Sequence, residues 1–356
     1  MDKSTCRLID ANFNRAREAL RVMEDYARFI LNDSRISLLA KQLRHDLSTC
    51  ISQFPSLELL AARDTPDDVG TQLSTKSELT RSDPLAVAAA AAKRLSEALR
   101  CLEEYNKVDN PSQAKNLESI RYRAYDLEKH LLARADLKNR FHQVRLYVIL
   151  TEKYCQLPIL QVVKQILAAG ADCIQLREKE KTDSTLLTLA KEVSKICHNA
   201  GALFIMNDRP DLAVLSNADG VHLGQEDLSV NQARKLLLNH MLVGKSTHRI
   251  KEVEADLAES PDYLAVGSIF ASTTKPNVTP VGLQLIEKTR LIYSGPLIAI
   301  GGVNVENATH AITAGATGVA VCSAIISTAN PANHVKSIKK AVIGPKPVGP
   351  NGKNVI

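Results

Sequence analysis

The sequence lacks three features that would each define a class of protein. Its seven cysteines are an odd number with no Cys-x-x-Cys pair, which argues against a disulfide framework and against a zinc site. No apolar run approaches the roughly 20 residues that a membrane-spanning helix needs. The first residues lead into an amphipathic pattern without the apolar core of a signal peptide, so we expect a soluble protein of the cytoplasm.

The charge pattern argues against a nucleic-acid-binding protein. The net charge is only +6, and 45 lysines and arginines are interspersed with 39 acidic residues. A nucleic-acid-binding protein would gather its basic residues into patches or runs. We expect neither a nucleic-acid nor a membrane partner, and the small basic surplus suits phosphorylated small-molecule substrates. The sequence leaves the oligomeric state open, and a homo-oligomer is compatible with it.

The first 140 residues are predicted to be helical, because leucine and alanine recur at spacings of three and four. This part contains an internal repeat, in which residues 15–26 (RAREALRVMEDY) return as residues 94–105 (RLSEALRCLEEY). A second helix is predicted after each copy, at residues 36–54 and 113–135. A duplicated helical hairpin that closes on itself as a bundle is the simplest account.

Two polar features of this helical part have ordinary structural explanations. The loop at residues 64–71 is rich in acids and hydroxyls, which is typical of a solvated connector, although long loops also carry functional sites. The repeated pairs Glu18–Arg21 and Glu97–Arg100 could present charges to the bundle interior. Ion pairs at i,i+3 on a solvated face are the commoner explanation of such spacing.

From Arg145 the pattern changes to short apolar runs that alternate with helical stretches. Eight runs predict eight strands, at residues 146–150, 173–176, 203–206, 220–223, 242–243, 264–266, 297–300 and 318–321. Eight strands over about 200 residues predict an α/β fold, a (β/α)8 TIM barrel. A doubly wound sheet is the alternative, but it normally has about six strands.

The change of pattern also predicts the domain limits. We expect an all-α domain at residues 1–140 and the TIM barrel at residues 141–345. The last residues, 346–356, are rich in proline, glycine and lysine, so we expect a disordered tail.

Polar residues follow the predicted strands, at the end of a barrel where active sites lie. After the second strand, Gln175, Arg177 and Lys179 alternate along the chain, which places them on one side facing the barrel mouth. Two cations and an amide suit a diphosphate, because a guanidinium group can chelate phosphate oxygens. An ordinary surface turn is the alternative for this segment taken alone.

Carboxylates follow the third and fourth strands. Asp208 and Asp227 come from neighbouring strand ends beside the predicted diphosphate site. Two carboxylates beside a phosphate are a usual way to hold Mg²⁺, with the substrate supplying the remaining ligands. Asp208 could instead cap a helix that begins at Arg209 and Pro210, because Asp before a proline-initiated helix is a common cap.

The fifth and sixth strands supply further polar groups. Ser246 is suited to donate a hydrogen bond to phosphate, whereas we assign His248 no catalytic role, because a lone histidine is more often structural. Residues 271–276 form a hydroxyl-rich loop with one lysine. Such a loop could act as a lid that follows the departing phosphate.

A second anion site is predicted after the last two strands. Gly301 and Gly302 follow the seventh strand, and Cys322 and Ser323 follow the eighth. In barrels, glycine turns and a helix start at this place bind phosphate through backbone amides. Two anion sites imply two phosphorylated substrates, and no residues form a covalent nucleophile with its base. Displacement of pyrophosphate, assisted by metal and cations, is the chemistry that fits.

These strand-end residues resemble the thiamine phosphate synthase family in both order and identity. The segments that carry the resemblance are QLREK at 175–179, ND at 207–208, GVHLGQED at 220–227, STH at 246–248, TTK at 273–275, IGG at 300–302 and VCS at 321–323. The resemblance implies that a hydroxymethylpyrimidine diphosphate ionises with the help of Mg²⁺. The thiazole nitrogen of a thiazole phosphate then captures the pyrimidine carbocation, which gives thiamine phosphate and pyrophosphate.

The resemblance also implies a role for individual residues. The pyrimidine diphosphate would be bound by Gln175, Arg177, Lys179, Asn207, Ser246 and Lys275. The thiazole phosphate would be bound by Ser272, Thr274, Gly302, Cys322 and Ser323, and Mg²⁺ by Asp208 and Asp227. The catalytic residues among them would be Arg177, Lys179, Ser246 and Lys275. Two residues depart from the family pattern, namely Lys245 in place of a small or apolar residue and Pro276 in place of a polar one.

The helical part resembles an extension that precedes the synthase in some cyanobacteria, which implies a hydroxymethylpyrimidine phosphate kinase. It contains no P-loop of the Gly-x-x-x-x-Gly-Lys-Ser/Thr type, so a kinase would need another nucleotide site. Two other functions remain as alternatives for the whole chain. A sugar-phosphate isomerase would use Gly302 and Ser323 alone, and a scaffold protein would carry a vestigial barrel.

Overall fold

The computed structural model describes residues 2–69, 80–271 and 279–344, and the chain divides into two units, Met1–Asp136 and Leu137–Ile356. The first unit contains only helices among its described residues, whereas the second contains eight strands. Within the described ranges, none of the helices combines the length and the apolar character needed to cross a membrane. The predicted fold, a helical part followed by an α/β barrel, is confirmed.

The helices of the first unit are built around two hairpins. They are α1 (Lys3–Asp25), α2 (Ser34–Ile51), α3 (Ser56–Ala61), α4 (Pro84–Asp109) and α5 (Pro111–His142), and a π-helical turn, Tyr26–Ile30, follows α1. Aspartates cap three of them: Asp2 precedes α1, Asp33 precedes α2 and Asp83 precedes α4, and each accepts backbone N–H groups of the first turn. These caps satisfy donors that have no partner within the helix.

The two hairpins repeat one ion pair. Glu24 of α1 lies 3.0 Å from Arg44 of α2, and Glu103 of α4 lies 2.7 Å from Arg121 of α5. Both glutamates are buried, so an arginine partner is needed to offset the loss of water around their charge. Glu18, Arg21, Glu97 and Arg100 all lie at exposed positions, as the solvated-face explanation expects. The arginines, however, pair with later acids: Arg21 with Glu24 and Asp25, and Arg100 with Glu103 and Glu104.

The second unit is a closed barrel of eight parallel strands in sequential order, in which β8 pairs with β1. The strands are β1 (Leu146–Leu150), β2 (Cys173–Leu176), β3 (Leu203–Asn207), β4 (Gly220–Leu223), β5 (Leu242–Thr247), β6 (Tyr263–Val266), β7 (Leu297–Ile300) and β8 (Gly318–Val321). The helices are α6 (Ile159–Ala168), α7 (Asp183–Asn199), α8 (Pro210–Leu215), α9 (Val230–Leu236), α10 (Ile250–Ala258), α11 (Gln284–Ile292), α12 (Ala308–Thr313), α13 (Ser323–Ile326) and α14 (Pro331–Ile343).

Most strand limits agree with the prediction, but β5 is longer than predicted. The prediction ended at Val243, whereas the strand continues through Lys245 and Ser246 to Thr247. These polar residues do not follow the strand, as the apolar run suggested, but form its last part. A search for apolar runs misses Lys245 and Ser246 because their side chains are polar. They can still lie in a strand because they form hydrogen bonds inside the fold.

Alternate residues of the strands face two different cores. Leu146, Val148 and Leu150 of β1 belong to the apolar layer shared with the surrounding helices, whereas Tyr147 and Ile149 belong to the barrel interior. This alternation follows from the two-residue period of a strand. It places every second side chain in a separate interior core, which opens toward the carboxyl ends of the strands.

Phe141 closes the opposite end of the barrel interior. Its ring stacks on that of Tyr263 with 4.0 Å between centroids, and it meets the edge of Tyr147 at 6.4 Å. Gly244 of β5 lies under the same tyrosine, since a Cβ added there would stand 2.0 Å from Cζ of Tyr263. The last turn of α5 therefore contributes to the core of the barrel.

Acidic side chains bind neighbouring strands together at this closed end. Asp172 accepts the backbone N–H groups of Arg145 and Leu146, both at 2.9 Å. In the next two pairs of strands, Asp219 accepts from Phe204 N and Asp262 accepts from Val243 N, both at 2.7 Å. Each acid precedes an even-numbered strand and bonds the start of the strand before it.

Candidate functional site

A cavity of about 710 Å³ lies at the carboxyl ends of the strands. Seven of the predicted site residues line it, namely Gln175, Arg177, Asn207, Ser246, Gly302, Cys322 and Ser323. They come from five strand ends that are far apart in the sequence, and closure of the barrel brings them together. The predicted ligands Ser272, Thr274 and Lys275, together with Pro276, lie outside the described residues.

The cationic side of the site follows β2. Arg177 lines the cavity, while Lys179 is 59% exposed and its Nζ lies 3.4 Å from Oδ2 of Asp208. Gln175 is buried, and its Nε2 donates to the hydroxyl of Tyr147 at 2.8 Å. The three residues predicted to face the mouth therefore lie in different surroundings. Gln175 is hydrogen-bonded inside the barrel, whereas Arg177 and Lys179 lie outside that interior.

Asp208, directly after β3, and Asp227, in the turn after β4, lie against each other. Like Lys179, they are not among the described residues that line the cavity. Burial raises the pKa of Asp208, and the adjacent carboxylate of Asp227 raises this pKa further, while Lys179 lowers it. Asp208 also has a φ of 62°, a left-handed conformation that is uncommon for residues other than glycine. Two carboxylates held together against their mutual repulsion fit a site for a cation.

The donors of this pair fit magnesium better than a zinc-type site. Among the described residues, no group of three or more His, Cys, Asp or Glu side chains could hold a metal by itself. Two carboxylates alone leave several ligand positions open, and Mg²⁺ usually takes such positions from water and substrate phosphates. The alternative role of Asp208 as a helix cap is not found, because α8 has no side-chain cap.

Lys245 stabilises the segment that carries Asp227. This lysine is only 4% exposed, and its Nζ donates to the carbonyl oxygen of Gly224 at 2.7 Å. The amide N–H of Gly224 in turn donates to Oδ2 of Asp227 at 2.6 Å. The residue that departs from the family pattern thus bonds the turn after β4 and does not enter the cavity.

The turns after β7 and β8 also line the cavity. Gly301 and Gly302 have φ values of 94° and 64°, and a Cβ on Gly302 would stand 2.2 Å from the carbonyl oxygen of Ala271. The short helix α13 begins at Ser323, directly after Cys322. Burial raises the pKa of the Cys322 thiol to about 11, so this residue is a neutral thiol and not a nucleophile.

The sequence analysis missed several polar residues that line the cavity, among them Thr151 and Asn304, and a group of residues in the barrel interior. Tyr147, His222 and Tyr263 point into the barrel interior, where they connect Gln175 and Ser246 through hydrogen bonds of 2.8–3.0 Å. The available signal was a histidine at the inward position of the otherwise apolar strand β4. His248 also lines the cavity, and its Nδ1 contacts the carbonyl oxygen of Gly267.

Comparison with known protein families gives a match for each of the two parts of the chain. The profile of the thiamine monophosphate synthase family matches residues 146–325, and that of the ThiD2 family matches residues 7–130. A thiamine phosphate pyrophosphorylase structure from Pyrococcus furiosus is 29% identical and superposes with a TM-score of 0.53. It covers 57% of this chain and 97% of its own.

Full-length relatives share both parts of the chain. A thiamine-phosphate synthase of Synechocystis sp. is 40% identical over 325 residues, which are 91% of this chain and 92% of the relative. One from Gloeobacter violaceus is 41% identical over 325 residues, covering 91% and 93%. The family predicted from the strand-end residues is confirmed: the chain belongs to the thiamine monophosphate synthase family, and it is a transferase of thiamine biosynthesis.

Proposed function

We propose that the barrel joins 4-amino-5-hydroxymethyl-2-methylpyrimidine diphosphate to 4-methyl-5-(2-phosphoethyl)thiazole, giving thiamine phosphate and pyrophosphate. One observation carries this proposal. A single cavity is lined both by Arg177 after β2 and by the glycine turn and helix start after β7 and β8. Such a cavity can bind a diphosphate and a monophosphate at once, which an isomerase of one sugar phosphate does not require.

Arg177 and Lys179 would bind the diphosphate and stabilise the negative charge that develops on it as it leaves. A guanidinium group bonds phosphate oxygens through two N–H groups, and fixed cations around a developing charge lower the barrier. Gln175 would act from the barrel interior, Asn207 would contact the pyrimidine, and Ser246 would donate to the diphosphate. Lys275 would add a further cation from the segment after β6.

Asp208 and Asp227 would hold Mg²⁺. When bound, the ion supplies Lewis-acid stabilisation of the leaving pyrophosphate. Lys179, 3.4 Å from Asp208, would remain beside the pair and face the same diphosphate. The raised pKa of Asp208 supports this assignment, because a bound cation would offset the repulsion between the two carboxylates.

The thiazole phosphate would bind at the turns that follow β7 and β8. Gly302, Cys322 and Ser323 would form its site, with Ser272 and Thr274 from the segment after β6. The two positive φ values at Gly301 and Gly302 support a backbone cradle, because a side chain there would be both strained and crowded. This arrangement would hold the thiazole nitrogen toward the pyrimidine carbon and leave no step for a protein nucleophile.

We propose a second activity for the helical part, phosphorylation of the pyrimidine monophosphate by ATP. The match of residues 7–130 to the ThiD2 family supports it. The product of this step would be the diphosphate that the barrel consumes. We also expect a cytoplasmic location, and a homo-oligomer remains compatible with the chain.

The test is formation of thiamine phosphate by the purified chain in matched reactions. The thiazole phosphate is supplied with the pyrimidine diphosphate, or with the monophosphate plus ATP, each with and without Mg²⁺. We expect product from the diphosphate only when Mg²⁺ is present. Product from the monophosphate plus ATP would support the kinase, and its absence would contradict that activity alone. No product from either substrate would overturn the proposed reaction.

A further inference from the structure

A continuous line of hydrogen bonds crosses the interior of the barrel. Gln175 Nε2 bonds the Tyr147 hydroxyl at 2.8 Å, and this hydroxyl lies 3.0 Å from that of Tyr263. The Tyr263 hydroxyl lies 3.0 Å from His222 Nδ1, and His222 Nε2 lies 2.8 Å from Ser246 Oγ. We call the first four residues, Gln175, Tyr147, Tyr263 and His222, the interior chain.

The interior chain is buried along its whole length. Tyr263 is 0% exposed, Tyr147 2%, Gln175 3% and His222 6%. Buried polar groups must be paired, so some bonding among them is expected from stability alone. The interior chain, however, begins at one residue of the cavity wall and ends against another, Ser246. It therefore reaches the site at both ends.

The number of protons on each group determines the direction of the interior chain. The Gln175 amide nitrogen can only donate, so the Tyr147 oxygen accepts and its single proton is left for Tyr263. Tyr263 then gives its own proton to His222 Nδ1. A neutral imidazole that accepts at Nδ1 carries its proton on Nε2 and donates it to Ser246.

The neutral state of His222 agrees with its surroundings. Burial lowers the pKa of His222 to about 4, Asp227 opposes this shift, and Lys245 adds to it. A neutral ring can accept at one nitrogen and donate at the other, whereas a protonated ring would donate at both. The order of donors that begins at Gln175 requires such a ring, which accepts from Tyr263 and donates to Ser246.

Ser246 is the point at which the interior chain meets the cavity. Its oxygen accepts the proton of His222 Nε2, so its own O–H is directed to another acceptor. Across the three described ranges, His222 is the one side chain that bonds this hydroxyl. An anionic oxygen in the cavity would provide the acceptor, because a hydroxyl that already accepts a hydrogen bond donates more strongly.

We propose that the interior chain consists of positioning residues that fix the Ser246 hydroxyl as a hydrogen-bond donor to the diphosphate. This inference rests on the proposed role of Ser246. Gln175 thereby acts on the substrate through three side chains, although its amide nitrogen bonds within the barrel. The opposite assignment of the Gln175 amide would reverse every bond and make Ser246 donate to His222 instead.

The first experiment is a double-mutant cycle between Tyr263→Phe and Ser246→Ala in the full chain. Tyr263→Phe removes one hydroxyl and keeps the ring against Phe141. We expect kcat/KM for the pyrimidine diphosphate to fall about tenfold, the value of one hydrogen bond of about 1.4 kcal/mol. In the Ser246→Ala background, the same change should have little further effect.

The control is Tyr293→Phe, which removes a tyrosine hydroxyl outside the interior chain. In the described part of the chain, this hydroxyl makes one long hydrogen bond, 3.5 Å, to the carbonyl oxygen of Asp262. Kinetics near wild type are expected for it. Equal losses from Tyr263→Phe in both backgrounds would overturn the inference and leave the interior chain a structural feature. An unchanged Ser246→Ala enzyme would instead contradict the proposed role of Ser246.

The second experiment measures the protonation of His222 in the wild-type chain and uses a variant only to assign the signal. Nitrogen-15 NMR of the histidine-labelled full chain separates protonated from unprotonated ring nitrogens, and His222→Gln assigns the signal. We expect His222 to be protonated at Nε2 and unprotonated at Nδ1. A proton on Nδ1 would show that the hydrogen bonds run the other way, and the inference would be wrong.

Discussion

The two ends of the barrel use aspartate in opposite ways. At the closed end, Asp172, Asp219 and Asp262 each accept backbone N–H groups of a neighbouring strand. At the open end, Asp208 and Asp227 lie against each other, and the pKa of Asp208 is raised. An acid bonded by the protein contributes to stability, whereas two adjacent acids cost stability until a ligand neutralises them.

This difference separates folding from function along one set of strands. The closed end also holds Phe141 against Tyr263. At the open end, Arg177 and glycine turns line the cavity, and the carboxylate pair lies beside Lys179. Substitutions of the closed-end aspartates and of Phe141 should therefore change stability, whereas substitutions at the open end, and of the interior chain that leads to it, should change turnover.

The largest effect is expected from Asp227→Asn at the open end. The amide keeps an acceptor for the N–H of Gly224 but removes the charge that Mg²⁺ needs. We expect kcat to fall about 10²–10³-fold, a typical loss when a group that stabilises the transition state is removed. The Tm without Mg²⁺ should rise slightly, because the repulsion between the two carboxylates is removed. Steady-state kinetics at saturating substrates and Mg²⁺ measure the fall in kcat. Asp211→Asn, on the exposed surface of α8, is the control, and near-normal turnover of Asp227→Asn would contradict the metal assignment.

The next effect concerns the apolar closure of the barrel. We expect a fragment of residues 137–356 to fold and keep the synthase reaction, because all the proposed ligands lie within it. A fragment of residues 143–356 lacks Phe141 and should lose about 3–5 kcal/mol of unfolding free energy. Urea unfolding of the two fragments measures the difference. Equal stabilities would show that the stacking on Tyr263 contributes little.

A smaller effect is expected from Asp219→Ala at the closed end. The substitution leaves the buried N–H of Phe204 without its acceptor, which should cost about 1–3 kcal/mol. We expect kcat to stay near the wild-type value, because the change lies far from the cavity. Asp219→Asn, which keeps an oxygen acceptor, should recover part of the stability. A large loss of kcat in a stable Asp219→Ala enzyme would contradict the separation of the two ends.

The smallest effect is a pH dependence of stability that comes from His198, the hydrogen-bond partner of Asp219. Its hydrogen bond raises the pKa of His198, and burial partly opposes this shift. A raised pKa in the folded state gives stability that is fully present below the unfolded value of about 6.5 and lost as the pH rises through the folded value. The Tm difference between the wild type and His198→Gln should therefore shrink from about pH 5.5 to about pH 8.5. A difference that grows with pH would contradict this account.

The strands were predictable where they were apolar and uninterrupted. The limits of β1, β2, β4, β7 and β8 agree with the prediction. The end of β5 was missed because Lys245 and Ser246 are polar, yet their partners, Gly224 and His222, lie on the neighbouring strand or just after it. Partners of this kind become visible only when the strands are paired.

The helix before the barrel shows a similar limit. The sequence predicted that the helix in this region ends at residue 135 and that the barrel domain begins at residue 141. In the structure α5 continues to His142, and Leu137 and Phe141 belong to the barrel core. A helical pattern does not reveal which of two cores its last turn will enter.

The lining of the cavity was predicted in part, and the interior residues behind it were missed. Arg177 follows an apolar run at a strand end and lines the cavity, whereas the roles of Asp208 and Asp227 stay predictions. Tyr147 and Tyr263 read as ordinary core residues, and they meet across the barrel although 116 positions separate them. No local pattern can predict such a contact, because it depends on closure of the whole barrel.

The contact between Gly244 and Tyr263 limits which substitutions this sequence can accept in evolution. The phenol ring occupies the space where any larger residue at position 244 would place its first carbon, 2.0 Å from Cζ. A new side chain at position 244 is therefore compatible only with a smaller residue at position 263, and that exchange would also remove a hydroxyl that bonds both Tyr147 and His222. Positions 244 and 263 should therefore change together or stay unchanged. A homologue without a glycine at position 244 should also have different residues around its counterpart of His222.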